Sequence, residues 1–374
     1  MEYQDRNPSP PPDARTALSG ETSTSIGNTI FSKCWLFQCL LDAIKQVESE
    51  CLSEDGAEEM GNISEDLEQQ LCTLWDMSAN QEVSAFLEEF HASEMFVQLM
   101  GSTKAPRLLE ILLGILANMC TFEETCLQVS KTDSLIRVCL WLLGSTDAPA
   151  LLQLSRLLRT CLAHPSTGPL WIEQIRENLA PTVDHLQTIL LNSLNGDLVS
   201  STLKLVDRLC DAHPEVSAAL ANVDFVRALS SAAMQMLTEC AVLEDYWHIL
   251  YNLECETQFA PLLEPCVEDL GGLLKAFLSC LQDSAAGTDE NIEEDSETRR
   301  FQLLCLPFCF LANLSDKGRH LLFDDSAVSD SSFSILHELE NSPPPEQIRR
   351  SPQNIEYRTM LKDSLRVLTR GVTR

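Results

Sequence analysis

The chain has 374 residues and a formal net charge of −30, since 56 acidic residues stand against 26 basic ones. Two long runs, residues 46–103 and 228–274, contain no lysine or arginine. Nucleic-acid binding requires clustered positive charge that replaces phosphate counterions, so this composition argues against it. The longest uncharged stretch, Phe301 to Ser315, is shorter than the ~20 apolar residues of a membrane span, so we expect a buried helix there.

The N-terminal region divides into two predicted parts. Residues 1–28 are rich in proline and serine, and we expect them to be disordered. Residues 29–63 are expected to form one helix followed by an acidic linker. The segment from Met1 to Gly20 lacks the apolar core of a secretion signal, so the 15 cysteines are expected to stay reduced. These features predict a protein of the nucleus or the cytoplasm, and not a secreted one.

A helical motif recurs between residues 64 and 340 at a nearly constant interval. The equivalent positions are Asp76, Asn118, Cys161, Arg208, Asn252 and Asn313. Apart from the last pair, neighbours in this series are separated by roughly 40–47 residues, a period typical of armadillo and HEAT repeats, which are units of two or three helices. The sequence therefore predicts an all-α fold, an armadillo/HEAT-like right-handed helical solenoid over residues 64–340.

The longer interval between Asn252 and Asn313 indicates an insertion in one repeat. Residues 282–298 supply the extra length, and they are strongly acidic without any base, so we predict a solvated loop there. Residues 341–374 differ, with seven basic residues against three acidic ones. We predict a last helix in this basic tail, which either caps the solenoid end or lies against the acidic body. Ser9, Ser342 and Ser351 each precede a proline, and their phosphorylation is left open.

The motifs of common catalytic, cofactor and metal sites are not found in the sequence. Cys305 and Cys309 share a helix face, and we interpret them as core residues, with metal ligation as the alternative. His248 is interpreted as structural, with a general base as the alternative. Cys120 and Cys126 have no histidine near enough in sequence to complete a zinc site. We therefore predict no catalytic residue, no cofactor and no metal.

Stacked repeats expose a long surface, so the default function is to hold another protein. Armadillo adaptors of nuclear import line their groove with a W-x-x-x-N ladder. Asn118, Asn252 and Asn313 retain the asparagine, but the positions four residues earlier are glycine, histidine and cysteine. Recognition of import cargo is therefore not expected. The three asparagines are either structural, with amides that bond within the inner helix layer, or part of a peptide groove that includes Arg208.

The acidic surface suggests a protein partner with a basic segment. Glu239, Glu244 and Asp245 lie in a base-free stretch near Asn252, and we predict that they attract such a segment. The alternative is that the carboxylates keep a leucine-rich solenoid soluble. The predicted function is a non-enzymatic adaptor, with a structural subunit of a larger complex and an enzyme subunit as competing hypotheses.

Several segments resemble the serum amyloid A-like 1 family over nearly the whole chain. They are Asp5 to Pro12, Lys33 to Phe37, Leu74 to Ser78, Pro106 to Leu108 and Leu113 to Met119. The resemblance implies an armadillo-like nuclear protein that promotes proliferation of synovial fibroblasts under inflammatory stimuli. No catalytic or ligand residues are established for the family, so none is transferred.

Overall fold

The computed structural model describes residues 25–27, 29–52, 62–286, 293–341 and 352–370, apart from the side chains of residues 52, 283–298 and 352–354. Within these ranges the chain is helical, and its only β-type pairing is one bridge between Ser25 and Ser32. The predicted all-α class is confirmed. The chain divides into two compact units between Asn178 and Leu179. None of the described helices is both long and apolar enough to cross a bilayer.

The first unit contains the following helices: α1 (Lys33–Leu52), α2 (Glu65–Met77), α3 (Gln81–Glu89), α4 (Ala92–Ser102), α5 (Pro106–Met119), α6 (Glu123–Val129), α7 (Asp133–Leu142), α8 (Ala148–Ala163) and α9 (Gly168–Glu177). Local sequence explains where several of them begin. The Ser64 hydroxyl accepts a hydrogen bond from the backbone N–H of Leu67, and the Asp147 carboxylate accepts one from Ala150. Pro106 and Pro149 lie in first turns, where the missing N–H of proline costs nothing.

The helices of the first unit form stacked layers. The long helices α2, α5 and α8 pack successively, α1 packs on α4 and α4 on α7, and the short α3 packs on α6. Helix α5 is buried nearly all round, as expected for a helix enclosed between neighbours. This unit therefore has the three-helix repeat of an armadillo-like solenoid.

The second unit contains α10 (Leu179–Asn192), α11 (Gly196–Ala212), α12 (Pro214–Leu220), α13 (Val223–Met234), α14 (Cys240–Thr257), a 3-10 helix (Ala260–Cys266), α15 (Val267–Ala286), α16 (Glu293–Ala312), α17 (Asp316–Phe323), α18 (Ser326–Asn341) and α19 (Pro352–Leu368). The long helices α11, α14, α16 and α19 pack in succession, as do α10, α13, α15 and α18. The same layered repeat therefore continues through this unit.

The segment predicted as an acidic loop, residues 282–298, is helical at both of its described ends. Helix α15 extends to Ala286 and α16 begins at Glu293. Acidic residues are compatible with the first turn of a helix because its N-terminus carries partial positive charge. Residues 287–292 lie outside the described residues.

The helix expected in the basic tail is α19, which packs against α16. Leu361, Leu365 and Leu368 are buried in this contact, whereas Ile355 is exposed. The disorder expected for residues 1–28 and the linker expected before residue 64 concern segments that lie mostly outside the described residues.

Candidate partner-binding surface

Two polar contacts connect α11 to α14 in the second unit. The Nδ1 atom of His248 lies 2.5 Å from Oδ1 of Asp207. One turn further along, the Asn252 side-chain amide donates to Oδ1 of Asp211 at 2.8 Å. Both acceptors come from the preceding repeat. These contacts fix the orientation of polar side chains on a half-exposed face, which we call the α11–α14 face.

The α11–α14 face has altered proton affinities. The hydrogen bond to Asp207 raises the pKa of His248, although burial opposes this shift. Burial, and then the charge of Asp207, raise the pKa of Asp211. Arg208 is exposed on the same helix, and its charge acts in the opposite direction on Asp211. The face therefore combines carboxylates with one histidine that holds its proton more strongly than a free imidazole.

The three carboxylates predicted to attract a partner are not equivalent. Asp245 is half-buried and close enough to raise the pKa of His248, so it belongs to the α11–α14 face. Glu244 forms an ion pair of 3.3 Å with Arg299 of α16. Glu239 is the exposed N-cap of α14, more than three turns before Asn252, which corresponds to about 20 Å along the helix. The predicted group of three is therefore divided in the structure.

Asn313 lies beyond the end of α16, beside an open groove. The groove has a volume of about 570 Å³, and residues that line it include Tyr251, Cys255, Gln258, Cys309, Asn313 and Met360. The Asn313 amide donates to the carbonyl of Cys309, 3.4 Å away on its own helix. Asn313 therefore differs from Asn252, whose amide reaches a neighbouring helix.

The two cysteines of α16 have different surroundings. Cys305 is buried, and its Sγ atom lies 3.1 Å from the carbonyl oxygen of Tyr357 in α19. Cys309 is half-buried in the groove and accepts from the Ser364 hydroxyl at 3.4 Å. Hydrogen bonding from the Cys305 thiol, followed by that from Ser364, lowers the pKa of Cys309 to about 7 despite burial. Cys305 has the environment of a core residue, and Cys309 has that of an accessible thiol.

Asn118 belongs to the first unit and has a different setting. Its amide donates to the Trp75 carbonyl at 2.9 Å and to the Ser78 hydroxyl at 3.1 Å. Its side-chain oxygen accepts from Arg156 at 2.8 Å. Asn118 thus links α2, α5 and α8, as the structural interpretation of the asparagines requires.

Three cysteines that sequence reasoning did not combine lie together in the first unit. The Sγ atoms of Cys120, Cys126 and Cys161 all lie within 4.8 Å of one another, and the three residues are buried. Cys120 and Cys126 by themselves have no histidine near enough in sequence to complete a metal site. Cys161 follows Cys120 at the interval of one repeat, and this recurrence was the available signal.

Comparison with known proteins places this architecture in a family. Protein SAAL1 of Homo sapiens is 40% identical over 354 residues, which cover 89% of this chain and 69% of the human protein. The chain belongs to the SAAL1 family. Protein SAAL1 of Mus musculus is 38% identical, with coverage of 90% and 71%. The profile of the SAAL1 C-terminal domain matches residues 182–296, and the predicted resemblance is confirmed.

The chain matches little more than half the length of some of these relatives. Protein saal1 of Danio rerio is 37% identical over 67% of this chain, and the match spans 55% of the fish protein. Among solved structures, an engineered protein has a TM-score of 0.47 at 14% identity, covering 96% of this chain and 94% of its own. A computationally designed armadillo repeat protein for modular peptide recognition has a TM-score of 0.45 at 13% identity, covering 71% of this chain and 99% of its own.

Proposed function

We propose that this chain is a non-enzymatic adaptor that holds a basic segment of a partner protein against the α11–α14 face. The observation that carries this proposal is the pair of side-chain hydrogen bonds between the two helices, one between His248 and Asp207 and one from Asn252 to Asp211. They hold polar side chains in place before a partner arrives, which lowers the entropy lost on binding.

The charge of the face favours a basic partner. Asp207, Asp211 and Asp245 act together on His248, and Glu256 is exposed one turn beyond Asn252. Such a surface raises the association rate of a cationic segment, and added salt weakens the attraction because the Debye length is ~8 Å at physiological ionic strength. The groove beside Asn313 offers a neighbouring apolar wall through Met360 and Pro261.

The competing functions make different demands on this face. A hydrolase based on the His248–Asp207 pair would need a nucleophile at Nε2 of His248. None of the hydrogen bonds found among the described residues supplies one. A structural subunit would instead use apolar end faces, and its association would be insensitive to salt.

Nuclear localisation and support of cell proliferation complete the proposal, and membership of the SAAL1 family supports both. Fluorescence imaging of the tagged full-length protein tests the compartment. We expect nuclear accumulation, and exclusion from the nucleus would contradict the nuclear part of the proposal.

The binding proposal is tested with labelled peptides of alternating lysine and arginine, using fluorescence anisotropy at several salt concentrations. The Asp211→Lys/Glu256→Lys variant should bind at least tenfold more weakly than wild type while keeping its helical circular dichroism. The matched control is Asp184→Lys/Asp330→Lys, which changes the net charge equally on exposed positions of α10 and α18.

Equal weakening in both double variants would mean that overall charge, and not this face, attracts the peptide. Unchanged binding in a folded Asp211→Lys/Glu256→Lys variant would reject the proposed surface. Binding that persists in high salt would favour an apolar end-face contact.

A further inference from the structure

A second feature, independent of the proposed partner surface, lies in the interior of the first unit. Cys120 follows the last residue of α5, Cys126 lies in α6, and Cys161 lies in α8. All three side chains are 0% exposed. The Sγ atoms of Cys126 and Cys161 are 3.8 Å apart, and every Sγ pair in the group is within 4.8 Å.

Hydroxyl groups surround this thiol cluster. Thr167 Oγ1 lies 3.5 Å from Cys126 Sγ and donates to the Cys161 carbonyl at 2.6 Å. Ser130 Oγ lies 3.9 Å from the same sulfur and accepts a hydrogen bond of 2.9 Å from the Trp171 indole N–H. Because Trp171 donates to the oxygen of Ser130, the hydroxyl proton is available to Cys126. Outer contacts of this kind orient the ligands of a metal site.

The 3.8 Å between the sulfurs of Cys126 and Cys161 matches coordination of one small ion, and the other sulfur pairs lie within 4.8 Å. Thiolates bound at about 2.3 Å, the length of a zinc–thiolate bond, lie roughly 3.8–4.0 Å from one another. Soft thiolate ligands select Cu(I), zinc or iron–sulfur clusters. A structural zinc site is nearly always four-coordinate, whereas the group found among the described residues offers three ligands.

We propose that Cys120, Cys126 and Cys161 bind a single Cu(I) ion in a three-coordinate thiolate site. Each thiol that binds as a thiolate releases its proton to solvent, so affinity rises with pH.

The bound ion would join successive repeats. Cys120 follows α5, the long helix of one repeat, whereas Cys126 and Cys161 lie in the short and the long helix of the next repeat. Because the unfolded chain does not hold these three sulfurs together, metal binding stabilises the folded unit. The alternative is that the three residues are reduced thiols packed as small apolar side chains.

The test uses the reduced full chain without oxygen, in a background with Cys34, Cys51, Cys255 and Cys309 replaced by serine, which removes the three exposed thiols and the half-buried thiol of the groove. Cu(I) is supplied as its acetonitrile complex in competition with bicinchoninate. We expect one tightly bound ion per chain, a higher melting temperature in its presence, and three sulfur neighbours by X-ray absorption spectroscopy. Cys126→Ala should weaken binding at least tenfold. The control Cys210→Ala, at a buried cysteine of α11 outside the cluster, should not.

Failure to retain Cu(I) against bicinchoninate would overturn the proposal, and so would equal retention by wild type and a folded Cys126→Ala variant. An X-ray absorption spectrum that shows only two sulfur atoms bound to copper, or an additional oxygen or nitrogen ligand, would reject three-coordinate thiolate binding. If Cys126→Ala does not fold, the sulfur count of the wild-type ion decides the question without it.

Discussion

Gly114 of α5 leaves the space that the indole ring of Trp75 in α2 occupies. A Cβ atom at position 114 would lie 2.1 Å from Cε2 and 2.2 Å from Cζ2 of Trp75. The residue four positions before Asn118 is therefore small because a tryptophan of the preceding repeat fills the site. Trp75 is 9% exposed, so this packing supports the stack of long helices.

Gly114→Ala should destabilise the first unit by about 3 kcal/mol, because an added methyl group in a filled core forces the helices apart. The melting temperature by circular dichroism measures this loss. Gly101→Ala is the matched control, since no atom lies within 4 Å of its added Cβ and alanine is favoured over glycine in a helix. Melting of Gly114→Ala at the wild-type temperature would show that α2 and α5 adjust without strain.

Asn118→Ala should cost about 1–3 kcal/mol, because it removes three hydrogen bonds and leaves the Trp75 carbonyl and Arg156 without this partner. Asn313→Ala should change stability by no more than ~0.5 kcal/mol, since Asn313 is exposed and bonds within its own helix. Urea denaturation of both variants compares them directly. Equal effects would contradict the structural role assigned to Asn118.

The His248–Asp207 pair should make stability depend on pH. The pKa of His248 is raised in the folded protein, so its stabilising contribution is fully present below the unfolded value of ~6.5. It is lost as pH rises through the folded pKa. The melting temperature of wild type should exceed that of His248→Gln by more at pH 6 than at pH 9. A difference that is constant with pH would show that the charged pair contributes nothing.

Cys309 should react with iodoacetamide at a rate that rises with a midpoint near pH 7, because its thiolate is stabilised by the hydrogen bonds from Cys305 and Ser364. Cys255 lines the same groove, but burial is the main cause that raises its pKa. Mass spectrometry after brief labelling at pH 7 should therefore find Cys309 modified before Cys255. Ser364→Ala should raise the pH at which labelling of Cys309 is half-maximal. Slower labelling of Cys309 than of Cys255 in the wild-type protein would refute the lowered pKa of Cys309.

Much of the fold could be predicted because the repeat appears in the sequence as a motif at nearly regular spacing. Leu74 to Ser78 and Leu113 to Met119 recur at the spacing that places one long helix on the next, as α2 packs on α5. The candidate surface was only partly accessible to the same reasoning. Asn252 was identified, but its partner Asp211 was not, because an isolated motif does not show which side chain of the preceding repeat it meets.

The sequence by itself determined the helical class, the repeat length and the family, since apolar periodicity and motif spacing are properties of the linear chain. Only the tertiary structure decided which polar groups meet across repeats. It separated Glu239 from Asp245, directed Asn118 into the helix stack and brought Cys161 to Cys120 and Cys126. These contacts depend on the rotation and rise between packed helices, and a shift of one residue around a helix turns a side chain by about 100°.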